Sequence, residues 1–206
     1  MNILLTKLAL SPLLSWVSPV VLVAIAVFAC VVYYRPSFAH RRARIFLLLA
    51  ASAAAFRLLF AGVKTGLQYY AWLQSDISKF LLPPYQSISV LLRYSWTHFW
   101  LNALIVIGAA LLFFIVLRVL YSYNERYFDT GEIELGALMA LVVGWPHFVV
   151  FVPAVFLSVV IVSIIRGVAF REPYTTLGLP FFIGAAIALV ATPSMIKVFH
   201  LVALSI

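Results

Sequence analysis

Residues 99–117 read FWLNALIVIGAALLFFIVL, an uninterrupted apolar run with no ionisable side chain, closed by Arg118. A helix needs roughly 20 such residues to cross the hydrocarbon core of a bilayer, and a barrel strand would alternate polarity instead. The whole chain repeats this character. Of its 206 residues, 66% are apolar and only 10% charged, with a mean hydropathy of +1.13. A soluble domain carries about 25% charged residues, so 14 Lys+Arg and 6 Asp+Glu are too few to cover 23 kDa in water. A soluble enzyme, a disordered tail and a nucleic-acid-binding domain are excluded. The formal charge of +8 fits Lys and Arg gathered in loops on one side of a membrane.

Working upstream, residues 64–96 (KTGLQYYAWLQSDISKFLLPPYQSISVLLRYSW) are the least hydrophobic part of the membrane region. Tyr69, Tyr70, Trp72, Tyr85, Tyr94 and Trp96 give it an interfacial, aromatic-belt composition. Pro83-Pro84 breaks any helix, which predicts a helix ending near Leu82 and a short or re-entrant piece over 85–94. Residues 45–63 form a further span interrupted by Arg57. A lone Arg there can snorkel, line a cavity or pair with an acid. Before it stands the densest basic cluster, Arg35 and His40-Arg41-Arg42-Ala43-Arg44, the best cytoplasmic marker and compatible with anionic headgroups. The apolar run through Tyr34 predicts a retained first span rather than a cleaved signal.

Downstream, the loop SYNERYFDTGEIE holds four of the six acids, Glu125, Asp129, Glu132 and Glu134. Residues 135–165 are then too long for one comfortable span. Gly144-Trp145-Pro146-His147 in their middle predicts two shorter helices or one bent helix. A polar loop at 166–173 precedes a last span over 174–190, and the tail after Pro193 could add an interfacial helix. The expected fold is all-α: a single polytopic transmembrane bundle over 1–206 of about five to seven helices, with a polar interfacial or re-entrant segment near 64–96.

Candidate chemistry is sparse. Cys30 alone allows no intrachain disulfide and no Cys-based zinc site, and His98, His147 and His200 form no helix-spaced metal signature. Neither metal nor organic cofactor is expected. Asp76 is the most isolated acid, and Lys79 at i+3 could pair with it on one helix face. Glu132 and Glu134 would suit the first turn of a helix opened by Gly131. Alternatively, two carboxylates brought together could act as an aspartic hydrolase, one ionised to activate water and one protonated.

Asp76-Ile77-Ser78-Lys79-Phe80-Leu81-Leu82-Pro83 resembles the first motif of the prepilin (type IV leader) peptidases, intramembrane aspartic proteases in which an Asp precedes a Pro by seven positions. Asp129-Thr130-Gly131-Glu132-Ile133-Glu134-Leu135 resembles that family's later G-x-G-D and V-K-L run, followed by a Gly144-Trp145-Pro146 break. Leu179-Pro180-Phe181-Phe182 with Gly184 resembles its late Pro-Phe segment. The likeness covers roughly residues 60–190, leaving residues 1–59 as additional N-terminal spans. Glu132 stands at the second catalytic Asp, Asp129 at the first Gly and Glu134 at the Lys. Without a Cys-rich insertion, the chain resembles the compact, peptidase-only members.

The resemblance implies a prokaryotic cytoplasmic membrane protein, contacting lipid and no nucleic acid, that hydrolyses a peptide bond in the leader of a prepilin-like membrane substrate. Asp76 and Glu132 would share the acid–base work, while Asp129 and Glu134 attract the basic leader. Two rival expectations stand beside it. One is a catalytically inactive relative serving as an assembly or scaffold subunit. The other is a small transporter or channel whose 64–96 segment lines a path with Arg57 and Asp76 as pathway charges.

Overall fold

In a computed structural model describing residues 13–123, 128–170 and 176–198, every regular element is helical. Helix α1 spans Leu13–Tyr34 and α2 spans Arg42–Gln74, joined by a 3-10 turn over Pro36–Arg41. After the 75–88 connection come α3 (Ser89–Ser95), a π-helical turn (Trp96–Trp100) and α4 (Leu101–Tyr123), which run on as one helical rod. Then follow α5 (Glu132–Val143), α6 (Phe148–Ile165) with a π-helical turn over Arg166–Phe170, and α7 (Gly178–Val198).

Among the described residues, four helical stretches are long and apolar enough to cross a bilayer: Trp16–Tyr34, Pro36–Gln74, Ser89–Tyr123 and Phe148–Val168. Their outer faces expose Leu48, Leu59, Leu111, Leu112, Phe156 and Leu157. Such a surface would be an aggregation hazard in water and is the natural surface in lipid. The protein is an all-α membrane bundle.

Two expectations about the middle of the chain change. The polar 64–74 stretch is not separate from the second span. It is the outer part of α2, whose 33 residues extend about 50 Å, well beyond the roughly 30 Å hydrocarbon core. That helix stops at Gln74 rather than near Leu82, and Ser78–Leu81 forms only a 3-10 turn. Nor is 85–94 a re-entrant piece, since from Ser89 onward it is the beginning of the rod that becomes α4. Helix α7 likewise continues through Pro193 to Val198.

The Gly144-Trp145-Pro146-His147 break does separate two helices. Helix α5 has 12 residues, about 18 Å, too few to cross. Every α5 residue except Glu134 is buried, as expected of a helix apolar all round. Around it stand α1, α2, α4 and α7. Helix α6 then returns toward the end where α5 began. Phe148 and Phe151 meet Phe113, Val155 lies against Gly184, and Val159 shares a cavity wall with Leu177 just before α7. Thus α5 and α6 enter from the basic end and turn back inside the bundle.

Glycine is required where these pieces meet. Gly131 caps α5 at φ 90°, and a Cβ there would stand 2.9 Å from the backbone nitrogen of Ala43. At Gly178 a Cβ would occupy the space of the Tyr33 ring. Gly178→Ala is therefore expected to lower the melting temperature of the detergent-purified protein by several degrees, the effect of overpacking by about 1–3 kcal/mol. Ala at Gly167, which has open space around its Cβ position, is the control and leaves melting unchanged.

Candidate functional site: the Glu132 junction and the Arg57 cap

Glu132 is the first residue of α5 and has no solvent exposure. Its carboxylate is met by four donors. Oε1 accepts from the Tyr33 hydroxyl at 2.9 Å and the Gly178 N–H at 2.7 Å; Oε2 accepts from the Asp129 N–H at 3.0 Å and the Leu177 N–H at 3.1 Å. Amides at the start of a helix have no intrahelical acceptor, and their dipoles favour an anion. Glu132 therefore caps α7 from the side while fastening the turn before its own helix. The Asp129 contact resembles the return half of a capping box, a Glu reaching back three residues to an amide. Tyr33 brings the last turn of α1 into the same junction. Its ring lies under the Arg42 guanidinium carbon at 5.3 Å.

Asp129 is nearby but serves another purpose. It is exposed, its Oδ2 is 3.6 Å from the Arg42 guanidinium, and its Oδ1 accepts from the Thr130 N–H. Glu134 is half-buried and forms no ion pair among the described residues. Glu125 lies outside the described residues.

Asp76 is at the other end of the molecule. Gly131 packs against Arg42 and Ala43 in the first turn of α2, whereas Asp76 follows the last turn, at Gln74. The rise between those turns is about 45 Å. Two carboxylates must approach within about 6 Å to share a proton, so the expected Asp76–Glu132 dyad is not formed. The reason is the continuity of α2: residues 64–74 prolong the second span outward, and nothing brings 75–83 back across. The Asp76 side chain is 99% exposed and, among the described residues, pairs only with Lys79, at 3.4 Å and i+3. Such exposed pairs contribute little. Asp76→Asn should leave both expression and thermal melting at wild-type values.

Arg57 does not snorkel, and it pairs with no acid among the described residues. About 22 Å along α2 from its start, it reaches across to the end of α5. There Nε and Nη2 donate to the Leu141 carbonyl at 3.1 and 2.7 Å, and Nη2 to the Val142 carbonyl at 3.3 Å. The last carbonyls of any helix lack intrahelical donors, and inside a bilayer water is not there to replace them. A cation also suits the negative end of the helix dipole. Gly144, at φ 70°, leaves room for this guanidinium, because a Cβ would stand 2.6 Å from Nη2.

No group of three or more His, Cys, Asp or Glu side chains among the described residues could hold a metal ion. Searches against family models, curated proteins and solved structures return no match to the chain.

Proposed function

We propose that this membrane protein holds, without cleaving, an apolar helical segment of another membrane protein, acting as a non-catalytic assembly subunit on a peptidase-like frame. One observation carries the reading. The carboxylate that would do acid–base work is engaged by four donors, and the group facing it is the Tyr33 phenol rather than a second carboxylate. A carboxylate so held has no lone pair directed at a catalytic water, and no neighbour can hold the shared proton. A seat for an apolar partner lies beside this junction. A cavity of about 320 Å³ between α4, α6 and α7 is lined by Phe113, Leu117, Phe148, Val155, Leu177 and Phe181. Its rim residues Leu112 and Phe156 are exposed to lipid.

Resemblance to the leader peptidases suggests the partner's chemistry: a basic leader followed by an apolar helix. The same resemblance suggests a prokaryotic cytoplasmic membrane, with Arg35–Arg44 on its inner side by the positive-inside bias. Co-expression with such a prepilin-like protein tests the reading. The expected result is an uncut leader and co-purification in mild detergent, weakened by Phe181→Ala and unaffected by Asp76→Asn. Leader cleavage that disappears in Glu132→Gln at unchanged protein level would overturn it in favour of a peptidase.

A further inference from the structure

Two cavities meet at Arg57, and both are basic. The larger, about 420 Å³, is lined by Ser18, Leu22, Arg57, Gly144, His147 and Leu189. The smaller, about 120 Å³, has Ser18 and Arg57 in its wall again, with Ala61, Lys64, His98 and Asn102. Arg57 and Lys64 are two turns apart on α2, so they project from one face about 10 Å apart along the axis. His98 and Asn102, at i and i+4 on the α3–α4 rod, stand opposite.

No acid lines either cavity, and neither Arg57 nor Lys64 forms an ion pair among the described residues. The cap on α5 uses Nε and Nη2 of Arg57, leaving Nη1 without a hydrogen bond among the described residues. Lys64 Nζ lies over the Phe60 and Phe99 rings at 5.0 and 5.8 Å. Asn102 Oδ1 is buried and has no partner among the described residues; the amide would have to turn over to offer its NH₂ to an anion. Arg57 is a cation at membrane depth with no carboxylate beside it among the described residues, which is costly, and Lys64 adds a second cation toward the outer end of the same helix face. The α5 dipole offsets only about half a charge at Arg57.

We propose that the two cavities form one oxyanion site, entered from the Lys64 end and terminating on the Arg57 guanidinium, that takes a phosphate group. A guanidinium with free N–H groups suits phosphate oxygens, and the ammonium of Lys64 supplies a second point charge. Val23 and Leu189 line the larger cavity and are exposed on the outer face, which gives an acyl chain a way out. The phosphate can thus belong to an anionic lipid or be free in solution. The site is independent of the helix-holding reading.

The test is thermal melting of the full chain in neutral detergent with added phosphatidylglycerol, phosphatidylcholine or inorganic phosphate. Phosphatidylglycerol or phosphate is expected to raise the melting temperature by a few degrees, as any native-state ligand does. Half-saturation should move about tenfold or more upward in Lys64→Gln, which removes a charge, and in Ala61→Leu, which fills the smaller cavity. Neither variant touches the α5 cap. Arg41→Gln with Arg44→Gln, in the exposed basic cluster, should leave half-saturation unchanged. Protection by phosphate alone identifies a free oxyanion, and protection by phosphatidylglycerol only identifies a lipid. No protection by either, equal protection by phosphatidylcholine, or protection lost only with Arg41 and Arg44 overturns the proposal.

Discussion

Glu132→Ala is expected to destabilise the fold by about 3–5 kcal/mol and Glu132→Gln by about 2–3 kcal/mol, read by SDS-titrated unfolding. Alanine strands three backbone N–H groups in a buried junction and leaves the Tyr33 hydroxyl only its 3.5 Å contact with Thr176 Oγ1. Each buried group left without a partner costs about 1–3 kcal/mol, less where relaxation admits another acceptor. Glutamine is the more informative change. Both carboxylate oxygens face backbone N–H donors, so an amide must turn its NH₂ toward at least one of them. A catalytic carboxylate would behave otherwise, since Gln commonly preserves a fold while removing acid–base function. Tyr33→Phe, losing one of the four donors, should cost about 1 kcal/mol. Glu132→Gln with wild-type unfolding would contradict the junction.

The second large effect belongs to Arg57→Met, expected to cost about 2 kcal/mol or more and to loosen the turn at 144–148. The change removes the donors to the Leu141 and Val142 carbonyls, each worth about 1–3 kcal/mol when buried and unmet. Relief of a cation at membrane depth offsets part of this, but the charge now also complements the helix end, so the loss dominates. Hydrogen exchange at Gly144 and Phe148, whose amides donate to Ala140 and Gly144, should accelerate more than exchange in α4. Uniform exchange across the bundle would mean that Arg57 is not a local cap.

Much of this architecture is legible in residue order. The charge-free 99–117 run and the composition require membrane helices, and Gly144-Trp145-Pro146 divides 135–165 into two. The extent of α2 is harder to read. Residues 64–74 are polar and aromatic enough to suggest an interface, yet a helix needs neither apolarity nor burial to continue past a bilayer. Only the local turn after Gln74 ends it. The family resemblance pairs Asp76 with Glu132, and the outward run of α2 keeps them apart. Tyr33 and the Leu177–Gly178 amides could not be found from spacing, because contacts across three helices leave no local period. Asp129-Thr130-Gly131-Glu132 did carry a signal, since a Glu three residues after an Asp marks a helix start. The role of Arg57 depends on where α5 stops, and no pattern within α2 contains that information.

The separation of Asp76 and Glu132 can be measured directly by pulsed electron–electron resonance between spin labels. Labels would be placed at positions 76 and 130, in a Cys30→Ala background and a lipid nanodisc. Thr130 stands in the turn that packs on the start of α2, so a distance of about 45 Å is expected from the rise of that helix. A distribution centred below about 20 Å would bring the two acids toward one site. It would contradict both the course of α2 and the proposed non-catalytic role of Glu132.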